Sequence, residues 1–179
     1  MVESRKAWSL ENSDEEDFNY DTYHNLEEIM DWMEWFAAKY PDYVELLDDV
    51  GLSHEGRPIK VMKILDKQVS SRRSAFFMSG QHAREWLAPA STMLFLEMFM
   101  EKYLAGDRYA EFILSGTNGL CDGGLRIYFM PIANPDGYSY TWTNNRIWRK
   151  NRNPVHKEET GCVGIDTNRN WASNKWGDP

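Results

Sequence analysis

The chain has 179 residues, which is the length of one ordinary domain. Its composition of 42% hydrophobic and 14% aromatic residues excludes a disordered protein and is sufficient for a packed core. The formal net charge of −8 and the pI near 5.0 argue against a protein that binds nucleic acid through bulk positive charge.

The charge is unevenly distributed along the chain. Residues 1–50 carry 15 acidic and 3 basic side chains, whereas residues 51–179 carry 13 acidic and 17 basic side chains. The second part contains a basic cluster that the net charge conceals, made of Arg146, Arg149, Lys150 and Arg152.

The N-terminal residues 1–17 are polar and acidic, and we expect them to form a solvated tail or a pro-segment junction. The junction is suggested by Arg5-Lys6, a dibasic pair that a trypsin-like protease could cut. No apolar stretch follows Lys6, so a secretory signal is not predicted. The most apolar run, residues 87–100, is too short to span a bilayer, and we therefore expect no contact with a membrane.

Helix and strand patterns alternate after this segment. Apolar residues at helical spacing over 24–40 predict an amphipathic helix that stops at Pro41. Residues 43–50 and 59–65 predict two strands joined by a turn that is rich in Gly and Pro. These patterns favour an α/β protein over an all-α or all-β one.

The middle of the chain continues this alternation. The short apolar run 75–78 predicts a buried strand covered on both faces, and residues 88–104 predict a long helix. Residues 125–132 predict another buried strand, and Asn134-Pro135-Asp136-Gly137 after it predicts a turn. Residues 138–179 show little periodicity.

His82 and Glu85 form the most informative pair of side chains. They follow a predicted strand and open a helix, and a spacing of three lets both reach one metal ion. A neutral imidazole and a carboxylate are both good Zn²⁺ ligands. The alternative is a surface His beside a Glu that stabilises the helix N-terminus. The carboxyl end of a strand favours the ligand-binding interpretation.

Two polar segments further along the chain could bind an anion. Arg149 lies in the basic cluster, which is either a solvated surface or a site where a guanidinium binds a carboxylate or an oxyanion. Asn168 and Arg169 lie in residues 164–171, which form either a polar loop held by Trp171 or a pocket for a terminal carboxylate.

Taken together, these segments resemble the zinc metallocarboxypeptidases of the carboxypeptidase A/B type from about residue 18 to the C-terminus. The resemblance implies a three-layer α/β/α fold with a mixed, mostly parallel central sheet. It also implies that residues 18–179 are the N-terminal portion of a catalytic domain, truncated at the C-terminus. The matching motifs occur in family order and are 51–59 (GLSHEGRPI), 82–86 (HAREW), 134–138 (NPDGY), 145–150 (NRIWRK) and 166–171 (DTNRNW).

The resemblance implies a role for each matching residue. His82 and Glu85 would be the first two zinc ligands, and Asp166 would hold the tautomer of His82. Arg149 would polarise the scissile carbonyl and stabilise the oxyanion. The remaining residues would contact the substrate: Asn168 and Arg169 at its terminal carboxylate, and Arg84 and Arg146 along the outer path.

The family site also requires a third zinc ligand, a general-base Glu and a Tyr, all of which lie further downstream than Arg169. The remaining histidines, His24, His54 and His156, match no ligand position. We therefore expect a zinc metallocarboxypeptidase that binds zinc weakly and has negligible turnover in this truncated form. One alternative is an inactive module that binds peptide C-terminal carboxylates. Another is a related acyl-amino-acid hydrolase, against which the Trp-Arg-Lys and Asn-Arg-Asn-Trp segments argue.

Further expectations follow from the same resemblance. The partners would be peptide or protein C-termini, and the protein would be an extracellular monomer. A sheet that lacks its last strands would leave a strand edge and apolar surface that favour aggregation. Cys162 matches a family cysteine that pairs with a later one, and we expect Cys121 and Cys162 to be free thiols here.

Overall fold

The computed structural model describes residues 18–69, 73–116, 124–154 and 157–171. The predicted acidic segment 1–17, Cys121 and His156 lie outside the described residues. Within the described ranges, no helix is both long and apolar enough to cross a membrane. Cys162 is exposed and free.

The described elements alternate between helices and strands along most of the chain. In order, they are α1 (Leu26–Lys39), β1 (Val44–Leu52), β2 (Pro58–Ile64), β3 (Arg73–Met78), α2 (Leu87–Leu104), α3 (Arg108–Leu114), β4 (Leu125–Met130), α4 (Pro135–Thr143), α5 (Lys157–Thr160) and a 3₁₀ turn (Thr167–Arg169).

Helix α1 confirms the first predicted helix. It begins at a capping box, in which the Asn25 side chain accepts the Glu28 N–H and the Glu28 carboxylate accepts the Asn25 N–H. Its apolar residues Ile29, Trp32 and Phe36 are fully buried, as the helical spacing predicts.

The described strands form a mixed sheet in the order β1-β2-β4-β3. Strand β2 is antiparallel to β1 and to β4, while β3 is parallel to β4. The mixed α/β sheet is therefore confirmed, but only the β3–β4 pair is parallel in this part of the chain. The short turn between β1 and β2 allows only an antiparallel pair, whereas the connection through α2 and α3 allows a parallel one.

The core lies on one face of the sheet. Met62 of β2 pairs with Phe129 of β4, Ile64 pairs with Ile127, and all four side chains join the buried core with residues of α1, α2 and α3. Alternate strand residues such as Tyr128 point to the opposite face, because side chains alternate along a strand. Among the described residues, the sheet and its helices thus form two layers of the predicted α/β/α arrangement.

Strand β3 exists as predicted, but the expectation that it is buried on both faces is wrong. Phe76 is 57% exposed and Phe77 is 51% exposed. The reason is that β3 lies at the edge of the described sheet and pairs with β4 alone. An apolar run identifies a strand, but its burial depends on neighbours that the run does not specify.

The turn predicted at residues 134–137 is instead the start of helix α4. The Asn134 side chain accepts the Gly137 N–H at 3.0 Å, and Pro135 occupies the first turn. Asn and Pro favour helix N-termini as well as turns, because one supplies a cap and the other lacks an N–H that would be unpaired there. Part of the segment 138–179 is therefore helical, although its sequence shows little periodicity.

Candidate metal and substrate site

His82 and Glu85 lie in the connection between β3 and α2. The Nδ1 atom of His82 is 2.9 Å from the Oε1 atom of Glu85. The His82 side chain is 10% exposed and that of Glu85 is 52% exposed, so the pair opens to solvent from the carboxylate side. A nitrogen and an oxygen at this separation can bind the same cation.

The second ring nitrogen of His82 faces Asp166. Its Nε2 atom is 3.3 Å from Asp166 Oδ1. This contact is not a hydrogen bond, and Nε2 is a buried polar atom without a hydrogen-bond partner among the described residues. A His that binds metal through one nitrogen usually donates the other N–H to a carboxylate. Asp166 is positioned to accept it.

Arg149 contacts both carboxylates of this cluster. Its Nε atom donates to Asp166 Oδ2 at 2.9 Å, and its NH1 atom is 3.6 Å from Glu85 Oε1. The structure thus brings together His82, Glu85, Asp166 and Arg149. A fixed guanidinium at such a place can stabilise negative charge on a nearby oxygen.

Asp166 is held in its charged form by this environment. Partial burial by itself raises the pKa of the carboxyl group. The hydrogen bonds from Arg149 and from the Asn168 N–H, together with the charges of Arg149 and His82, outweigh burial and lower the pKa below its usual value. The carboxylate is therefore a charged acceptor for both neighbours at neutral pH.

Asn168 and Arg169 lie on the 3₁₀ turn that starts directly after Asp166. The Asp166 side chain caps this turn by accepting the Asn168 N–H at 3.0 Å. Arg169 is exposed, and its NH1 atom donates to the Asn168 carbonyl at 2.9 Å. The same carboxylate thus orients Arg149 and the segment of the predicted carboxylate anchors.

Arg84 and Arg146 are joined at the edge of the site. The Arg146 NH1 atom donates to the Arg84 carbonyl at 2.9 Å, and its guanidinium lies 3.7 Å over the ring of Trp86. Trp86 stacks in turn on Trp142, with ring centroids 4.2 Å apart. The Arg146 guanidinium therefore forms a cation–π contact with Trp86. The Arg84 side chain is exposed.

The other described histidines are not part of the cluster. His24 is buried, with Nδ1 at 3.1 Å from Glu28 Oε2 and Nε2 at 2.8 Å from the Asn19 carbonyl. His54 is exposed in the turn between β1 and β2. In the described ranges, no group of three or more His, Cys, Asp or Glu side chains is arranged to hold a metal ion.

The sequence did not reveal that the early turn docks on helix α4. The buried Asp136 accepts hydrogen bonds from Ser53 Oγ at 2.6 Å, from Arg57 at 2.8 Å and from the Glu55 N–H at 2.9 Å. Both segments are recognisable as motifs, but nothing in their spacing indicates that they touch. This contact ties the first turn of α4 to the turn between β1 and β2.

Comparisons with known proteins identify the family of this chain. Residues 29–179 match the sequence profile of the family described as zinc carboxypeptidase. Carboxypeptidase B2 of Bos taurus is 37% identical over 157 residues, covering 88% of this chain and 34% of that protein. Carboxypeptidase B of Astacus astacus is 38% identical over 154 residues, covering 86% of this chain and 46% of that protein.

Solved structures show the same relation. The structure of bovine thrombin-activatable fibrinolysis inhibitor in complex with tick carboxypeptidase inhibitor matches with a TM-score of 0.69 at 39% identity, over 88% of this chain and 46% of that chain. Carboxypeptidase A from Helicoverpa armigera matches with a TM-score of 0.68 at 27% identity, over 93% and 39%. The chain spans about a third to a half of the length of these relatives. The chain belongs to the zinc carboxypeptidase family.

Proposed function

We propose that this chain carries the zinc-binding pair and the substrate anchors of a metallocarboxypeptidase that releases C-terminal amino acids from peptides. The observation that supports the proposal most directly is the convergence of His82, Glu85, Asp166 and Arg149 in one cluster. These side chains come from three separate segments of the sequence, around His82, Arg149 and Asp166, so their meeting is not a consequence of local chain geometry.

His82 and Glu85 would hold the zinc ion. When bound, zinc acts as a Lewis acid on a carbonyl oxygen and lowers the pKa of water. Asp166 would keep the proton of His82 on Nε2, which leaves a lone pair on Nδ1, the atom that faces Glu85. This donor set suits zinc, but a catalytic zinc site normally has three protein ligands. With two such ligands among the described residues, we expect weak binding.

Arg149 would stabilise the oxyanion that develops on the scissile carbonyl. Its bond to Asp166 fixes the direction of the guanidinium before the substrate arrives, so little reorganisation is needed during the reaction. Removing one such donor typically lowers kcat by about 10²–10³-fold.

The substrate would be a peptide or protein C-terminus. Its carboxylate would bind Asn168 and Arg169, while Arg84 and Arg146 would line the outer path. The exposure of Arg84 and Arg169 supports this role, because an exposed guanidinium is accessible to a substrate carboxylate. We further propose that the protein acts outside the cell as a monomer, by analogy with the family.

A second candidate is a binding module without catalysis. The number of metal ligands favours this candidate, since the described residues supply several anion-binding side chains but only two candidate zinc ligands. Such a module would recognise C-terminal carboxylates through Arg149, Asn168 and Arg169 and release nothing.

Purified chain can distinguish these functions. We expect weak zinc binding that His82→Ala abolishes, and negligible hydrolysis of a blocked dipeptide. Chelator-sensitive release of C-terminal residues would instead support a complete enzyme. Tight binding of the dipeptide without release would favour the module. Zinc binding that survives His82→Ala would contradict the ligand assignment.

A further inference from the structure

The side chain of Asn134, the residue that caps the N-terminus of α4, uses both its amide nitrogen and its amide oxygen in hydrogen bonds. It is 4% exposed. Its Nδ2 atom donates to the Gln81 carbonyl at 3.2 Å and to the Lys150 carbonyl at 3.0 Å. Its Oδ1 atom accepts the Gly137 N–H at 3.0 Å. One side chain thus bridges two backbone segments and caps a helix.

The two bridged segments are those that carry the candidate site. Gln81 directly precedes His82, and Lys150 directly follows Arg149. The Ala83 N–H donates to the Arg149 carbonyl at 3.1 Å, which is a second link between the same segments. Asn134 therefore ties the peptide that bears the zinc-binding pair to the peptide that bears the guanidinium.

Gly137, in the first turn of α4, lies directly against this amide. A Cβ atom at Gly137 would lie 2.5 Å from Asn134 Nδ2 and 2.5 Å from the Lys150 carbonyl oxygen. Such distances are well inside van der Waals contact, so only glycine fits there. The first turn of α4 thus presses directly against the amide and the carbonyl that it binds.

We propose that Asn134 is a positioning residue that sets the place of Arg149 relative to His82 and Glu85. The catalytic consequence of this role rests on the proposed function. A primary amide suits the position because it offers two donors and one acceptor at once. Asp and Ser can also cap a helix, but neither can donate two hydrogen bonds at this point.

Two substitutions separate the bridge from the helix cap. Asn134→Ser and Asn134→Asp both keep an oxygen for the Gly137 N–H. The ionised Asp side chain has no donor and the Ser hydroxyl has one, so neither variant can bind both the Gln81 and the Lys150 carbonyls. Tyr103→Phe is the control, because it also deletes partly buried hydrogen bonds, to Asp66 and Ser115. Tyr103 lies near the C-terminal end of α2, whereas the site adjoins its N-terminal end.

The first measurement needs no metal. The Nε–H of Arg149, which donates to Asp166, is followed by ¹⁵N NMR and assigned by its loss in Arg149→Lys. We expect both Asn134 variants to speed its exchange with water about tenfold or more, because they loosen the segment that carries Arg149. Tyr103→Phe should leave this exchange unchanged.

The second measurement uses Co²⁺ as a spectroscopic probe and acetate as the anion. In Asn134→Ser we expect acetate affinity of the Co²⁺-loaded chain to fall about tenfold. Co²⁺ affinity itself should change less than about threefold, because His82 and Glu85 lie on one segment. General destabilisation would not produce this difference.

The proposal is overturned if Arg149 exchanges equally in wild type, in folded Asn134→Ser and in Tyr103→Phe. It is also overturned, without any variant, if either Nδ2 proton of Asn134 in the wild-type chain exchanges as fast as an exposed amide. Failure of the wild-type chain to bind Co²⁺ would count against the proposed function, and the metal-free exchange would still decide the role of Asn134.

Discussion

Asp166 is the central residue of the site. Its carboxylate binds Arg149 through one oxygen and faces His82 through the other. The identity of these residues was predicted from their motifs. Their contact was not derivable from spacing, because Arg149 and Asp166 are separated by an irregular segment that shows no helical or strand periodicity.

Asp166→Asn should weaken zinc binding. The amide offers His82 no charged acceptor and leaves Arg149 without its ion pair. Because loss of such a partner typically lowers metal affinity about 10–100-fold, we expect zinc affinity to fall by about 10–100-fold. Titration against a chromophoric zinc chelator measures the change. Asp107→Asn is the matched control, since Asp107 also caps a helix but lies on α3. Equal affinities in the two variants would contradict the role of Asp166.

Tyr103 should make the protein sensitive to alkaline pH. Burial raises the pKa of its hydroxyl, the bond to Ser115 lowers it and the bond to Asp66 raises it, and the result is a pKa of about 12. The unfolded chain has a tyrosine pKa near 10, so the folded state retains a proton that the unfolded state loses. The stabilisation is therefore complete below about pH 10 and is lost as pH rises through about 12.

Urea unfolding followed by circular dichroism between pH 9 and 12 measures this effect. We expect the free energy of unfolding to fall over that range, and to fall less steeply in Tyr103→Phe. Some slope should remain in the variant, because burial also raises the pKa values of Tyr20 and Tyr40. An identical slope in both proteins would show that Tyr103 does not contribute.

Among the structural elements, the tight turns determine the shape of the site. Gly164 lies just before Asp166 and has a φ of +85°, in the left-handed region. A Cβ atom there would lie 2.2 Å from the Asn151 carbonyl oxygen. Gly56, in the turn between β1 and β2, has a φ of +83°, but a Cβ atom there would have no neighbouring atom within 4 Å.

Alanine substitutions at these two glycines separate the free-energy cost of left-handed backbone strain from the cost of steric crowding. Gly56→Ala should cost about 1–2 kcal/mol, which is the penalty for an L-residue in the left-handed region. Gly164→Ala adds an overpacking penalty of about 1–3 kcal/mol and should cost about 2–5 kcal/mol in total. Urea unfolding of both variants measures the difference. Equal losses would show that the Asn151 segment yields without cost.

The described sheet as a whole has one well-packed face and an apolar edge. Helices α1, α2 and α3 share a core with β2 and β4, while β3 exposes Phe76 and Phe77 at the edge. Edge strands with exposed apolar side chains promote association between chains. We therefore expect the isolated chain to depart from the proposed monomer and to self-associate through this edge as its concentration rises.

Phe76→Lys should reduce this association, because a charge on an edge strand opposes pairing with another chain. Sedimentation velocity at several concentrations measures the change, and circular dichroism checks that the fold is kept. The control is Tyr109→Lys, which places the same charge at a residue that is 63% exposed on α3. If both variants sediment alike, the β3 edge is not the associating surface.

Much of the fold was predictable because it depends on local patterns. The helix over 24–40 was predicted from its apolar spacing, and the strands at 43–50, 59–65 and 75–78 from short strand-like runs and the turn signals beside them; all four were found. Helix α4 was missed because Asn134 and Pro135 serve equally well in a turn and at a helix N-terminus. The burial of β3 was wrong because the apolar pattern of a strand does not say whether it lies inside a sheet or at its edge.

By itself, the sequence determined the class of fold, the order of most elements, the family and the residue types that could bind zinc and a carboxylate. These properties depend on composition, periodicity and motifs, which are local. Only the tertiary structure decided that β3 lies at the edge of the described sheet, that Arg149 binds the Asp166 carboxylate, and that the amide of Asn134 joins the segments of His82 and Arg149. Those contacts depend on how distant segments pack, and a one-dimensional pattern does not record that packing.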